Sequence, residues 1–473
     1  MNSESGYDLV VIGGGIAGLT AAARAGQFGL SVCVLETGSA DRYPCNTRFT
    51  GGTLHVCLDD IMADAGKLRA AIDTVTDNSA PAALADAIAS DGRRVVRWLQ
   101  SEGIRFIKAS PAPYHNWVLA PPRPLRPGLD WEGRGGDVLM RTLGGWIEKR
   151  GGRLVRGARA RELIMRQGRC AGVRADIDGK SVSLDATAVV IADGGFQGNA
   201  ELVREYISRR PERLKQRGAG NGMGDGLLMA RAAGAQITQL DAFYGHVLSR
   251  DAMSNDKLWP YPVLDSVVAA AIAVDARGKR FANEGENGVY FANAIARLDD
   301  PLGTFAVLDA AIWNTAGKRD LIPANPHIPD IGGTVLHAQS LEALAASAGI
   351  PAAELTETVR GYNDAVKRGA TAHLSPARRA DKYVPQPIEK PPFYAIPLCA
   401  GITYTMGGIA VNEHGCVLDA AGTPIAGLYA AGSCVGGVDG GPKAGYVGGL
   451  SKAGVLGMRS AEHLARALGK TES

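Results

Sequence analysis

Gly13, Gly15 and Gly18 stand between an apolar run and a helical stretch, and Glu36 closes the next apolar run. These are the residues whose types and spacing point first to chemistry. The segment reads Leu9-Val10-Val11-Ile12-Gly13-Gly14-Gly15-Ile16-Ala17-Gly18 and, after the helix, Val32-Cys33-Val34-Leu35-Glu36-Thr37. Gly13 permits a tight turn. Gly15 lets backbone approach a diphosphate seated on the partial positive charge of a helix N-terminus, with Ile16 and Ala17 opening that helix. Gly18 lets the helix pack closely on the strand. Glu36 is placed to accept hydrogen bonds from a ribose, with Thr37 beside it, and its charge disfavours a 2′-phosphate. Strand, turn, helix, second strand and terminal acid together predict a bound adenine dinucleotide.

The chain that must position these residues has 473 residues, too many for one simple core, which predicts two or more domains. With 46% hydrophobic residues, 21% charged and 62 glycines, it reads as a soluble α/β protein with many tight turns. A net charge of +3 offers no argument for nucleic acid. Met1-Asn2-Ser3-Glu4-Ser5 lacks the charged and apolar regions of a secretion signal. No apolar run reaches the ~20 residues of a transmembrane helix. The seven cysteines are scattered, with no C-x-x-C, so neither a zinc ribbon nor a haem attachment is encoded. Reduced thiols in the cytoplasm and no metal site are the expectation.

Residues 7–37 form the first βαβ unit, followed by the polar loop Cys45-Asn46-Thr47-Arg48-Phe49-Thr50-Gly51-Gly52. Helices are predicted at about 79–102 and 133–151, with a proline-rich loop over 111–128 between them. Alternation over 153–191 predicts an antiparallel meander ending in Ala188-Val189-Val190-Ile191-Ala192 and the turn Asp193-Gly194-Gly195-Phe196. Gly224-Asp225-Gly226 opens a further helix. From about 240 to 394 the composition shifts to prolines, aromatics and half of the eight histidines, after which a glycine-rich α/β pattern returns. The fold class is therefore α/β. A discontinuous Rossmann-like domain, residues 1–240 and 395–473, is interrupted by an inserted α+β capping domain, residues 241–394.

These motifs in this order resemble the flavoproteins of the fumarate reductase and succinate dehydrogenase superfamily. The resemblance is closest to tricarballylate dehydrogenase-type proteins and more distant to ketosteroid dehydrogenases. It rests on Gly13 to Gly18 with Glu36, the Asn46 to Gly52 loop, Gly133-Arg134-Gly135-Gly136, Val190 to Phe196, Gly224-Asp225-Gly226, Gly278 to Glu284, Thr405-Met406-Gly407-Gly408 and Gly427 to Gly432. It implies FAD, held by both chain ends under a mobile cap. It also implies hydride transfer between flavin N5 and a carbon next to an activating group. The cofactor residues it implies are Gly13, Gly15, Ile16, Ala17, Gly18, Glu36, Thr37, Asn46, Thr47, Arg48, Thr50, Gly51, Gly52, Ala160, Ala192, Asp193, Gly194, Asp225, Gly432, Ser433, Gly448, Gly449 and Leu450. Cys45 lies near the flavin-linked histidine of succinate dehydrogenases, and a non-covalent flavin is expected.

The catalytic face departs from the relatives. Trp313 lies near the place of the proton-donating arginine, Asn287 occupies another arginine's position in the proton path, and Tyr404 replaces the histidine before Thr-Met-Gly-Gly. Lys443 takes the place of the arginine that clamps a carboxylate, and a lysine keeps the charge as a point. A tyrosine near a cation suits proton abstraction, which favours desaturation of a small carboxylated or carbonyl-activated substrate. A reductase of an activated double bond and a non-catalytic flavin redox sensor are the alternatives. The candidate catalytic residues are Tyr404, His246, Lys443, Tyr446 and Glu284, with Tyr244 and Tyr261 as further tyrosines; His327 and His337 have no such support. The expected partners are a small anionic substrate and an external electron acceptor: a quinone, an electron-transfer protein or oxygen.

Overall fold

The computed structural model describes residues 6–472; Met1 to Ser5, read above for a secretion signal, lie outside the described residues. The apolar run Tyr7–Ile12 is the inner strand of a mainly parallel sheet, between Val32–Glu36 and Lys180–Ile191. Pro424–Ala430 continues the sheet beyond Lys180–Ile191, and Arg153–Arg156 closes it beyond Val32–Glu36. All five residues of Val32–Glu36 are buried, as a strand covered on both faces requires. Lys180–Ile191 serves two pairings. Its first half runs antiparallel to Arg169–Ile177, and its second half runs parallel to Tyr7–Ile12. The meander expected over 153–191 is thus an extension of the parallel sheet.

Helix Ile16–Gln27 crosses between the first two strands and packs against the C-terminal helix Gly449–Ala467. The helices expected at 79–102 and 133–151 span Ala82–Ser101 and Gly135–Lys149. A further helix, Ala65–Thr76, was not legible in the apolar pattern; its start is fixed by the Asp64 carboxylate, which accepts from the Gly66 and Lys67 N–H groups.

The inserted region builds a second sheet around the long strand Phe393–Thr405. Phe305–Asp309, Leu336–Ala338 and Phe243–Ser249 pair with it antiparallel, and Lys215–Gln216 pairs parallel. Ile272–Val274 adds to the edge of Phe305–Asp309. The boundary expected at 394 therefore falls inside a strand. The prolines before Phe393 mark where the strand begins, and its far end reaches back to the first sheet, with Thr405 Oγ1 accepting from Phe196 N–H at 3.1 Å.

The Glu284 carboxylate is wholly buried in this second unit, against the guanidinium of Arg280 (Nε–Oε1 2.8 Å) and 4.0 Å from Arg378 Nε. It also accepts from Ala273 N–H. Glu284, counted above among the catalytic candidates, is corrected here: its oxygens are committed to arginines and backbone, away from the cavity described below. Removing one partner of a buried ion pair strands the other charge, at a cost of about 3–5 kcal/mol. A Glu284→Gln protein is accordingly expected to lose about that much unfolding free energy in urea while keeping its cofactor. A change below ~1 kcal/mol contradicts a structural role for the ion pair.

Candidate active site

The first glycine turn opens on a cavity of about 880 Å³ shared by the two units. The three glycines meet three different constraints. Gly13 has φ +103°, and a Cβ there would lie 2.4 Å from the Ala192 carbonyl oxygen. At Gly18 a Cβ would lie 2.0 Å from the Gly13 oxygen, so helix and turn are in contact. At Gly15 the nearest atom is Thr47 Oγ1 at 3.6 Å, and the space beyond is cavity. Helix Ile16–Gln27 starts there with no side-chain cap, and only Ile16 N–H is satisfied locally, by Thr47 Oγ1 at 3.1 Å. The remaining free N–H groups face an open wall suited to a diphosphate. Glu36 accepts from Gly14 N–H (2.9 Å), Gly38 N–H (2.7 Å) and the Thr37 hydroxyl (3.2 Å), which hold its carboxylate against the same wall.

Every expected cofactor residue lines this cavity except Gly18, Arg48, Gly52 and Gly448. Gly18 lies one turn inside the helix. Arg48 is buried in an ion pair with Asp137 at 2.9 Å, over the Tyr43 ring. Gly52 is turned into the Thr50 hydroxyl and the Leu119 N–H. Gly448 backs on the His55 carbonyl. Asp225 reaches the wall but is bound by both oxygens to Arg159, at 2.7 and 2.9 Å, so that its carboxylate arrives already neutralised.

Asp193 shares one oxygen with Gly226 N–H at 2.6 Å, while its Oδ1 is buried without a partner, as is Gln197 Oε1 beside it. Burial pushes the Asp193 carboxyl up to about 7. Two orphaned acceptors, an uncapped helix start and an open Gly15 fit a long ligand carrying hydroxyl donors and a diphosphate, which is what FAD is. Burial also pushes the Cys45 thiol up to about 11, leaving it protonated and a poor nucleophile.

Three tyrosines close the other end. Tyr244 and Tyr404 are direct cross-strand partners, on Phe243–Ser249 and Phe393–Thr405, with ring centroids 5.2 Å apart. Tyr446 stacks on Tyr244 at 4.0 Å. His246 follows Tyr244 by two strand positions and so points to the same face. Its Nε2 lies 3.0 Å from the Tyr244 hydroxyl, and its Nδ1 lies 2.5 Å from Asp265 Oδ2. Asp265 also accepts from Val247 N–H at 2.9 Å. Next to it Ser266 donates to Asp320, whose carboxyl is raised by burial.

The Tyr404 hydroxyl donates to Asp439 Oδ2 at 3.4 Å, and Lys452 donates to the same oxygen at 2.6 Å. Both ionic side chains are fully buried. Burial, then the Asp439 charge, push Tyr404 well above its ordinary range, and burial likewise raises Tyr244 and Tyr446. The expectation that a cation makes Tyr404 an easy base is thus corrected: the nearest cation is spent on Asp439, and all three groups rest as hydroxyls.

His246 and Tyr446 reach the cavity as expected, but Lys443 does not. Its ammonium pairs with Asp77 at 3.1 Å on the outer surface. Trp313 packs on Tyr394, Asn287 caps helix Gly288–Ala296, and His327 and His337 also lie off the cavity. The residues missed from sequence are Asp265, Asp439 and Lys452. Lys452 carried a usable signal, since it lies in the first turn of the helix that opens at Gly449. Asp265 had none beyond opening a short helix. Among the described residues there is no cluster able to hold a metal, and no helix is long and apolar enough to cross a membrane.

The FAD binding domain family matches residues 8–445. Vinyl phenol reductase of Lactiplantibacillus plantarum is 26% identical, with 92% of this chain and 91% of that protein covered. 4-Oxocyclohexanecarboxylate 2-dehydrogenase of Sinomonas cyclohexanicum is 28% identical over 91% of this chain and 88% of that one. Among solved structures, the 3-ketosteroid Δ1-dehydrogenase from Sterolibacterium denitrificans superposes with a TM-score of 0.73 at 19% identity, covering 98% of this chain and 99% of that one.

Asp193 offers a test of the cradle without turnover. Its carboxyl is raised on folding, so the folded chain holds a proton that the unfolded chain releases. The stability of the cofactor-free protein is expected to fall as pH rises from about 4 through about 7, by on the order of 1–4 kcal/mol from this group. Asp193→Asn should flatten that decline in urea melts at pH 5 to 8. Parallel pH profiles for the two proteins contradict a carboxyl whose Oδ1 is buried without a partner.

Proposed function

The chain belongs to the FAD binding domain family, and on that footing we propose that it reduces the carbon–carbon double bond of a small α,β-unsaturated substrate, delivering the proton through Tyr244, His246 and Asp265. The Gly13–Gly18 turn and Glu36 would hold FAD, which would supply hydride to one carbon of the double bond. The protein supplies the proton that goes to the other. Tyr244 rests as a hydroxyl, so it carries a proton to give and cannot take one.

In the proposed step the Tyr244 O–H bond breaks toward substrate carbon, and the phenolic oxygen takes the proton on His246 Nε2. The imidazole must then be doubly protonated before the step. Asp265 accepts from Nδ1–H and fixes the ring's orientation, with Nε2 turned to the Tyr244 hydroxyl. Tyr446, whose oxygen accepts from Gly449 N–H and whose hydrogen is left to donate, presents its hydroxyl toward the oxygen of the activating group, where negative charge would build. The single observation that carries this reading is the Tyr244–His246–Asp265 chain, which opens on the cavity that also holds the glycine cradle. The likeness to vinyl phenol reductase supports the direction. The likeness to 4-oxocyclohexanecarboxylate 2-dehydrogenase supports a second reading: desaturation, with the same groups carrying the proton outward.

Stopped-flow reoxidation of the dithionite-reduced holoenzyme by unsaturated carboxylates and enones tests the proposal. General acid help is worth about 10²–10⁴-fold, and Tyr244→Phe is expected to slow reoxidation by that range with flavin content unchanged. Asp265→Asn is expected to slow it by a smaller factor and to shift its pH dependence. A Tyr244→Phe enzyme that reoxidises at the wild-type rate removes the relay from the mechanism.

A further inference from the structure

With Lys443 on the outer surface, the cavity must meet an anionic substrate with other cations. Two arginines enter its wall. Arg217 follows the short strand Lys215–Gln216 and is 6% exposed. It donates to Thr403 Oγ1 at 2.7 Å and to the Pro260 carbonyl at 3.0 Å, while its buried Nε has no partner. Arg123 comes from the proline-rich loop and donates to the backbone carbonyls of Phe49, Gly128 and Asp130. Neither guanidinium forms an ion pair with a carboxylate among the described residues. Both lie against the Tyr261 ring, 5.8 and 5.9 Å from its centroid, and all three side chains line the cavity.

Two guanidinium groups brought near one ring and given only neutral acceptors leave positive charge uncompensated, which is costly in a buried wall unless an anion completes it. Asp265 and Asp320 also line the cavity, so an anion is repelled there and drawn to the arginines. We infer that Arg217, Arg123 and Tyr261 form the recognition site for a substrate carboxylate, with the guanidinium fork matching the planar anion. Seated there, the substrate is oriented with its conjugated double bond toward Tyr244, which lines the same cavity. The inference rests on the proposed reaction for its substrate class, but not on the relay. The cofactor diphosphate is the competing anion; it has its own place at the open face of Gly15.

The test is binding without turnover. FAD-loaded wild type, Arg217→Met, Arg217→Lys and Arg123→Met proteins are titrated with 3-phenylpropanoate and with its uncharged amide, following the perturbation of the flavin absorption band. Neither probe carries an alkene to be reduced, and any desaturation would bleach the flavin band rather than shift it, so a failed relay leaves the result readable. The wild type is expected to prefer the carboxylate. Arg217→Met and Arg123→Met should lose about 10–100-fold of that preference, and Arg217→Lys should keep part of it. Arg123→Met, on a more exposed loop, keeps the test open should Arg217→Met fail to fold. Equal preference in wild type and in the arginine variants overturns the inference, as does a wild type that binds both probes alike. Loss of FAD from the folded variants also overturns it, because the guanidinium groups then belong to the cofactor.

Discussion

The register of one strand pair carries this site. Phe393–Thr405 is the central strand of the second sheet, and its end is tied to the first unit, where Asn46 donates to the Thr403 carbonyl and Thr405 accepts from Phe196 N–H. Pairing with Phe243–Ser249 sets Tyr244 opposite Tyr404 at that end and, two residues on, places His246 on the same face. The register shift between Tyr244 and Gly245 falls at this point, where a bulge re-aims side chains. A slip of one residue would turn Tyr244 and His246 to the opposite face, away from the cavity they line.

Behind these tyrosines lies a buried polar layer that an apolar core would avoid. Asp439 gathers Lys452, Tyr404 and the Val447 N–H around one carboxylate. Such a pair is expensive to bury and only breaks even when its hydrogen bonds are complete. Here they are nearly so, and the effect on Tyr404 is directional: its proton is held. The same logic separates the two ends of the cavity. Asp193 has an empty acceptor waiting for a donor, whereas the Tyr244 hydroxyl already has a partner in His246 that can exchange protons with it.

The cradle was legible in the sequence because its demands are local. Gly13, Gly15 and Gly18 answer to turn geometry and contact distance within a few residues, and Glu36 follows in the next strand. The catalytic face was legible only in part. Tyr244 and His246 declare a shared face once their segment is known to be a strand, but Asp265 reaches them from a separate helix. Lys443 was misread because its partner, Asp77, is 366 residues away in sequence and holds the ammonium outside the cavity. Arg217 and Arg123 gave no motif at all; only folding shows that, among the described residues, no carboxylate forms an ion pair with them. The boundary at 394 failed because a change of composition marked the start of a strand that spans both units.

The most direct measurement is a crystal structure of the holoenzyme with an unreactive saturated carboxylate in the cavity. The account predicts the carboxylate against Arg217 and the Tyr244 oxygen about 3–3.5 Å from one of the two carbons of the former double bond, with the flavin on their other side. A complex in which Tyr244 stands apart from both carbons, with an ordered water or another side chain in its place, would contradict it.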